Sequence, residues 1–299
     1  MSDAPRVAVV IPTHYRNDRL RMAIESVRAQ TYDPVEILVV DDSGEYHAES
    51  VAEAYDVPYV GFDENRGANA ARTVGARETG GAYIQYLDDD DRLHPRKLER
   101  QVELLESDPA VGVAYCGMQF ETGGTVLPDE SVRGDVLEEA LAFELYPCLT
   151  TTMLAERAVV EDALPWTNRP GADDFCRMIE LAKRTGFGFV DESLVVRGRI
   201  DDSRGQSMGV YHGRMEVLRE YSHLYEEFPS SVRNRALTDT HEFRARTLLR
   251  EGRWTVDTPI AFAKAAAYGR DPKLAGLAAA STLGPAGVRL ATTVYGTVL

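Results

Sequence analysis

Apolar runs bounded by charged or turn-forming residues recur through the first 120 positions. They read "RVAVVIP" (6–12), "VEILVVDD" (35–42), "PYVGF" (58–62), "AYIQYL" (82–87) and "VGVAYCGMQF" (111–120). Most are apolar almost throughout rather than alternating, which predicts strands covered on both faces. Between them the period changes. Asn17 and Asp18 offer an N-cap, and Leu20, Ala23, Ile24 and Val27 follow at helical spacing. Residues 65–81 predict a helix opened by Gly67 and closed by Gly80-Gly81. Residues 94–107 predict another, with Pro95 near its first turn and Leu98, Val102 and Leu105 on one face.

Strands alternating with helices predict an α/β fold with a doubly wound, mostly parallel sheet. Ligands of such sheets bind beyond the carboxyl ends of the strands. The polar residues there are Thr13 and Tyr15, then Asp41, Asp42 and Ser43, then Asp88, Asp89, Asp90 and Asp91. After 120 the rhythm changes. We expect a helix at 135–145, a strand at 148–156, and a loop entering a helix over 168–186 with Asp173 and Asp174 at its mouth. A strand at 188–198 and a polar loop at 199–209 follow, and from 210 the chain reads as helical. The expected division is 1–209, split near 120, and a helical extension over 210–299, with no internal repeat.

Charge changes the picture. The 299 residues carry a net charge of −15, and only four of the 33 basic residues are lysines. A nucleic-acid binder that tracks phosphates needs the opposite balance. Acid-rich, lysine-poor surfaces resemble those of halophilic proteins, whose self-repulsion molar salt screens; a GC-rich genome would also favour arginine. The last 67 residues, 233–299, run against this trend with ten Lys/Arg and five Asp/Glu. Cys116, Cys148 and Cys176 show no CxxC spacing and read as reduced, structural thiols. The start, "MSDAPRVAVVIPT", does not read as a signal peptide, which predicts a cytoplasmic protein.

"VVIPTHYR", "ILVVDDSG", "NRGANAART", "YIQYLDDDD" and "GADDF" occur in that order, and the ordered set over residues 5–205 resembles the inverting family-2 glycosyltransferases of the GT-A nucleotide-diphospho-sugar transferase fold. The resemblance implies a nucleotide-binding half (1–120) and an acceptor half (121–209), and does not cover the tail. It implies that Asp90 coordinates Mg²⁺ or Mn²⁺, with Asp89 nearer the ribose. It assigns Asp42 to a uracil N–H, Thr13 and Tyr15 to the base pocket, and Arg72 to the nucleotide. It makes Asp174 the general base that takes the acceptor's proton, with Asp173 beside it in place of the usual Glu. Arg197, Arg199 and Arg204 would form a loop over the diphosphate, although the usual His is absent there. Each position also has a structural reading: a solvated acidic loop at 88–91, an Asx turn at Asp42, a surface arginine at Arg72, an N-cap at Asp174. His14 and His94 read as loop histidines.

The implied reaction moves a sugar from a nucleoside diphosphate, UDP above others, to a hydroxyl acceptor. By family analogy that acceptor is a dolichyl- or polyprenyl-phosphate-linked glycan of protein N-glycosylation or surface polysaccharide assembly. A synthase acting on polyprenyl phosphate itself is the nearest alternative. A metal-dependent nucleotidyltransferase or phosphohydrolase, or a non-catalytic sugar-nucleotide scaffold, are alternatives of other classes. The tail has no charge from Leu274 to Val288, but "LGPAG" (283–287) interrupts it, so it does not read as a membrane span. It would either rest on the anionic cytoplasmic face of the membrane or pack as helices on the catalytic domain or a dimer partner.

Overall fold

The computed structural model describes residues 4–169, 171–198, 207–251 and 254–295. Among them, the first apolar run becomes β1 (Val7–Thr13), buried at every position. A left-handed Tyr15 (φ 57°) then turns the chain into α1 (Asn17–Arg28). This helix buries Leu20, Ala23, Ile24 and Val27, the face expected from the spacing. Leu20, Ile24 and Val27 each contribute about 1.5–3 kcal/mol by this burial. β2 (Val35–Asp41), α2 (Glu49–Ala54), β3 (Tyr59–Gly61), α3 (Ala68–Glu78) and β4 (Tyr83–Tyr86) follow. β1 pairs in parallel with β2 and β4, and β3 extends the sheet beyond β2.

β5 (Arg92–Leu93), α4 (Lys97–Ser107), β6 (Val111–Phe120), β7 (Thr125–Val126) and α5 (Leu137–Ala142) come next. β8 (Leu154–Glu156), α6 (Arg157–Ala163), α7 (Asp173–Ala182) and β9 (Gly186–Arg197) complete the sheet, ordered β3-β2-β1-β4-β8-β6-β9-β5 with β7 beside β6. β8 is antiparallel to both β4 and β6, whereas β9 is parallel to β6.

The strand expected over 148–156 is confined to its last three residues. The three threonines before it, all buried, fold into a turn instead. Thr152 Oγ1 donates to the Pro147 carbonyl at 2.8 Å, and the Leu149 N–H donates to that hydroxyl at 2.7 Å. Such local side-chain bonds compete with a ladder.

The described residues form two compact units. The first holds residues up to 137, 145–168 and 177–198, with a core cluster that gathers Val7, Val9 and Ile11 of β1 with buried residues of α1 and α4. The second holds 138–144, 169–176 and 207–295, so two segments from before 209 belong with the helical tail. That tail contains α8 (Met208–Glu220), α9 (Ser222–Tyr225), α10 (Ser230–Arg250), α11 (Asp257–Gly269), α12 (Pro272–Ser281) and α13 (Gly284–Tyr295). Its core gathers Ala245, Phe262, Leu274, Leu277 and Val288. Among the described residues, no helix is long and apolar enough to cross a membrane.

Candidate active site

β1, β2 and β4 are parallel neighbours, so their carboxyl ends open on one side of the sheet and present the residues singled out above. At the end of β1, Thr13 Oγ1 donates to Asp89 Oδ2 at 2.8 Å. Arg16 Nη1 donates to Asp89 Oδ1 at 3.0 Å and lies 3.6 Å from Asp90 Oδ2. Burial pushes the Asp89 carboxyl up, and Arg16 and Thr13 only partly offset this. Thr13 and Arg16 thus both fix Asp89, and the three form one hydrogen-bonded group.

At the end of β2 the two carboxylates do different work. Asp41 is fully buried and accepts from the Ser43 and Ala48 N–H groups at 2.8 Å and from the Tyr59 hydroxyl at 2.9 Å. It builds the turn. Asp42 accepts from the Arg66 N–H at 2.6 Å and the Gly67 N–H at 2.9 Å. That pins the chain entering α3, where Gly67 has φ 88° and an added Cβ would meet the Asn168 side chain at 2.6 Å. A carboxylate has about four lone-pair sites, so Asp42 retains acceptor capacity. Tyr15 is part-exposed; its hydroxyl donates to the Ser43 carbonyl at 3.1 Å, and its ring meets His14 and His47 edge-on.

Arg72 is buried on α3. It donates to Asp88 Oδ1 at 2.5 Å and to Asn69 Oδ1 at 3.1 Å. The same Asn69 oxygen accepts from Arg177 Nη2 at 2.6 Å. Arg177, on α7, is 1% exposed; it also donates to Thr150 Oγ1 and lies over the Tyr86 and Trp166 rings. Burial alone would raise the Asp88 carboxyl, but Arg72 and, more weakly, Arg197 hold it below its ordinary value.

The four aspartates are not a solvated loop. Oxygens of Asp88, Asp90 and Asp91 lie within 4.8 Å of one another. Asp91 accepts from Thr151 Oγ1 at 2.8 Å and from the Gly198 N–H at 3.0 Å, which ties the end of β9 to the cluster. Burial first, then the charge of neighbouring aspartates, pushes Asp90 up to about 6 and Asp91 up to about 8. Asp90, with Arg16 at 3.6 Å, is the least engaged of the three. Hard carboxylate oxygens crowded at a strand end suit a small divalent cation.

Arg197 ends β9, and its charge acts on both Asp88 and Asp91. Arg199 and Arg204 lie outside the described residues. Asp173 and Asp174 occupy the first turn of α7 and belong to the second unit. There Asp173 Oδ1 accepts from the Arg169 N–H at 2.6 Å. Sequence reasoning missed Arg16, Thr151, Asn168, Arg177 and Gly198. Arg16 stood inside a quoted motif; Arg177 could have been noticed as a charge within the apolar run of α7.

A mostly parallel sheet with buried carboxylates and an acidic cluster at its strand ends is the architecture of the nucleotide-diphospho-sugar transferase fold. The chain belongs to glycosyl transferase family 2, whose pattern matches residues 8–160, and it is a glycosyltransferase. It is 34% identical to an uncharacterized glycosyltransferase of Rickettsia prowazekii over 80% of this chain and 78% of that one. It is 36% identical to the glucosyl-dolichyl phosphate glucuronosyltransferase of Haloferax volcanii, over 43% of this chain and 40% of that one. In fold it is similar to S. aureus TarS in complex with UDP-GlcNAc (TM-score 0.62, 15% identity, 97% of this chain and 91% of that). It is also similar to the mannosyltransferase PcManGT from Pyrobaculum calidifontis, in complex with GDP-Man and Mn²⁺ (TM-score 0.56, 21% identity, 98% of this chain and 81% of that).

Proposed function

We propose that this glycosyltransferase is inverting and metal-dependent, and that it transfers a sugar from UDP to a lipid-linked saccharide. The observation that carries the metal dependence is the Asp88–Asp90–Asp91 cluster, with its oxygens within 4.8 Å at the end of β4. Asp90 is the principal ligand, assisted by Asp88 or Asp91. A bound Mn²⁺ or Mg²⁺ supplies neutralising charge for the departing nucleoside diphosphate. The Mn²⁺ in the mannosyltransferase complex supports this assignment.

Asp89, held by Thr13 and Arg16, faces the ribose; Asp42 accepts a base N–H, with Thr13 and Tyr15 beside it. Acceptance by a carboxylate favours uracil or guanine over adenine, and UDP-GlcNAc and GDP-Man in the two solved complexes are consistent with that pair. Arg72 serves the nucleotide, and Arg197, Arg199 and Arg204 form the loop over its diphosphate. Asp174, with Asp173 beside it, takes the proton of the acceptor hydroxyl as that oxygen bonds to the anomeric carbon. The bond from that carbon to the diphosphate breaks on the opposite face, so the anomeric configuration inverts.

The dolichyl-phosphate substrate named for the Haloferax relative supports a lipid-linked acceptor. The tail supplies a way to approach it. Trp254 Nε1 donates to the Ser281 carbonyl at 2.8 Å, which brings Val256 and Leu283 to one end of the α11–α12 pair, 71% and 78% exposed. That end, in the basic part of the chain, would rest on anionic lipid. The test is transfer from UDP-sugars to a polyprenyl-diphosphate-linked sugar with Mn²⁺, followed by NMR of the product's anomeric proton. An inverted product is expected, with transfer lost in Asp174→Asn; a retained configuration would refute the mechanism.

A further inference from the structure

Arg16 forms ion pairs with two of the strand-end aspartates, Asp89 and Asp90. It follows Tyr15, whose left-handed backbone turns the chain back toward β4. Its side chain is 42% exposed, yet it reaches Asp89, which is 5% exposed, and Asp90, which is 14% exposed. Its hold on the two is unequal. Asp89 is in hydrogen-bond contact at 3.0 Å and is also fixed by Thr13, while Asp90 is 3.6 Å away, beyond hydrogen-bond distance. A guanidinium in that position satisfies Asp90 by charge without a tight bond.

Resting on the metal-dependent reading above, we propose that Arg16 is an exchangeable counter-ion of Asp90. It neutralises the crowded carboxylates before a cation arrives, gives up Asp90 when a dication binds, and stays anchored on Asp89. A dication arriving alone must compete with that positive charge. A dication arriving with a nucleoside diphosphate brings negative charge with which the freed guanidinium can pair. Arg16 therefore disfavours metal binding in the absence of donor and couples the two ligands.

The experiment is titration of the full chain with Mn²⁺, free ion being followed by electron paramagnetic resonance, at low ionic strength where exposed charges are least screened. It is done with and without UDP, on wild type, Arg16→Gln, Arg16→Lys and Arg100→Gln. Arg100, on α4, pairs with Glu103 and with Glu192 of β9 and with none of the strand-end aspartates in these ion pairs, so its removal alters net charge equally without removing a partner of the cluster. In Arg16→Gln, Mn²⁺ alone should bind at least about fivefold more tightly, roughly a kilocalorie per mole, and the gain from adding UDP should shrink. Arg16→Lys, which keeps the charge, and Arg100→Gln should stay within about twofold of wild type. Unchanged or weaker Mn²⁺ binding in Arg16→Gln overturns the proposal, as does equal tightening in Arg100→Gln. If wild type binds no Mn²⁺ with or without UDP, the metal-dependent reading itself fails and the proposal with it.

Discussion

Gly198 offers a sharp test of how the acidic cluster is built. A Cβ added there would lie 1.9 Å from the Asp90 carbonyl oxygen. Carbon–oxygen contacts normally stop near about 3.3 Å, so Gly198→Ala must move one backbone or the other by well over an ångström. No rotamer change can absorb the clash, because the obstacle is main chain and the Gly198 N–H is itself held by Asp91. Overpacking of this kind costs about 1–3 kcal/mol, or a Tm loss of about 2–10 °C for a domain of this size. Its effect on metal binding should be larger. Ligand positions tolerate only about 0.2 Å of error, and misplacement near 1 Å costs about 10²-fold in function. Calorimetric titration with Mn²⁺ and UDP should show at least a tenfold loss. Gly80→Ala, where an added Cβ meets nothing within 4 Å, is the control. Undisturbed binding in Gly198→Ala would refute the claim that the end of β9 braces Asp90.

Three further outcomes follow from the same geometry. Because the folded-state values of Asp90 and Asp91 are raised to about 6 and about 8, their contribution to stability is present at low pH and lost as pH rises through those values. Mn²⁺ displaces those protons, so the Tm gain on adding it should grow between pH 6 and pH 8; a gain flat across that window would contradict the assignment. Arg177→Met removes the charge-assisted bonds to Thr150 and Asn69 and a guanidinium over the Tyr86 and Trp166 rings, and should cost about 2–4 kcal/mol in urea unfolding. Arg177→Lys should not restore it, since lysine lacks the fork; full rescue would contradict that. Val256→Glu with Leu283→Glu should abolish cosedimentation with vesicles of anionic lipid while leaving UDP binding intact. Cosedimentation unaffected by the pair would remove the tail's proposed role.

The strands carrying the site were legible because burial on both faces writes an uninterrupted apolar signal. β1, β2, β4 and β6 begin and end within a residue or so of expectation. What the sequence hid were elements set by long-range pairing. β5 is two residues long, and β8 takes its place only because β4 and β6 flank it. The threonines before β8 resemble strand residues, but their hydroxyls serve Asp91, Arg177 and the local turn. The polar residues at the carboxyl ends of the strands were legible, as at Thr13, Asp42 and Asp89, which the structure gathers beside β1, β2 and β4. Contacts were not legible where the partner is distant in the chain, as for Thr151 on Asp91 or Arg177 on Asn69. Asp91 illustrates the limit: the sequence shows it only as the last of four aspartates, yet it accepts the Gly198 N–H and so ties β9 to the cluster.

The measurement that reaches the central claim most directly is calorimetry of UDP binding to wild type, Asp90→Ala and Asp174→Asn, each with Mn²⁺ and with EDTA, and with GDP and ADP as competitors. The account predicts UDP binding that requires metal, is lost in Asp90→Ala, persists in Asp174→Asn and is not displaced by ADP. UDP binding indifferent to EDTA and to Asp90→Ala would contradict it.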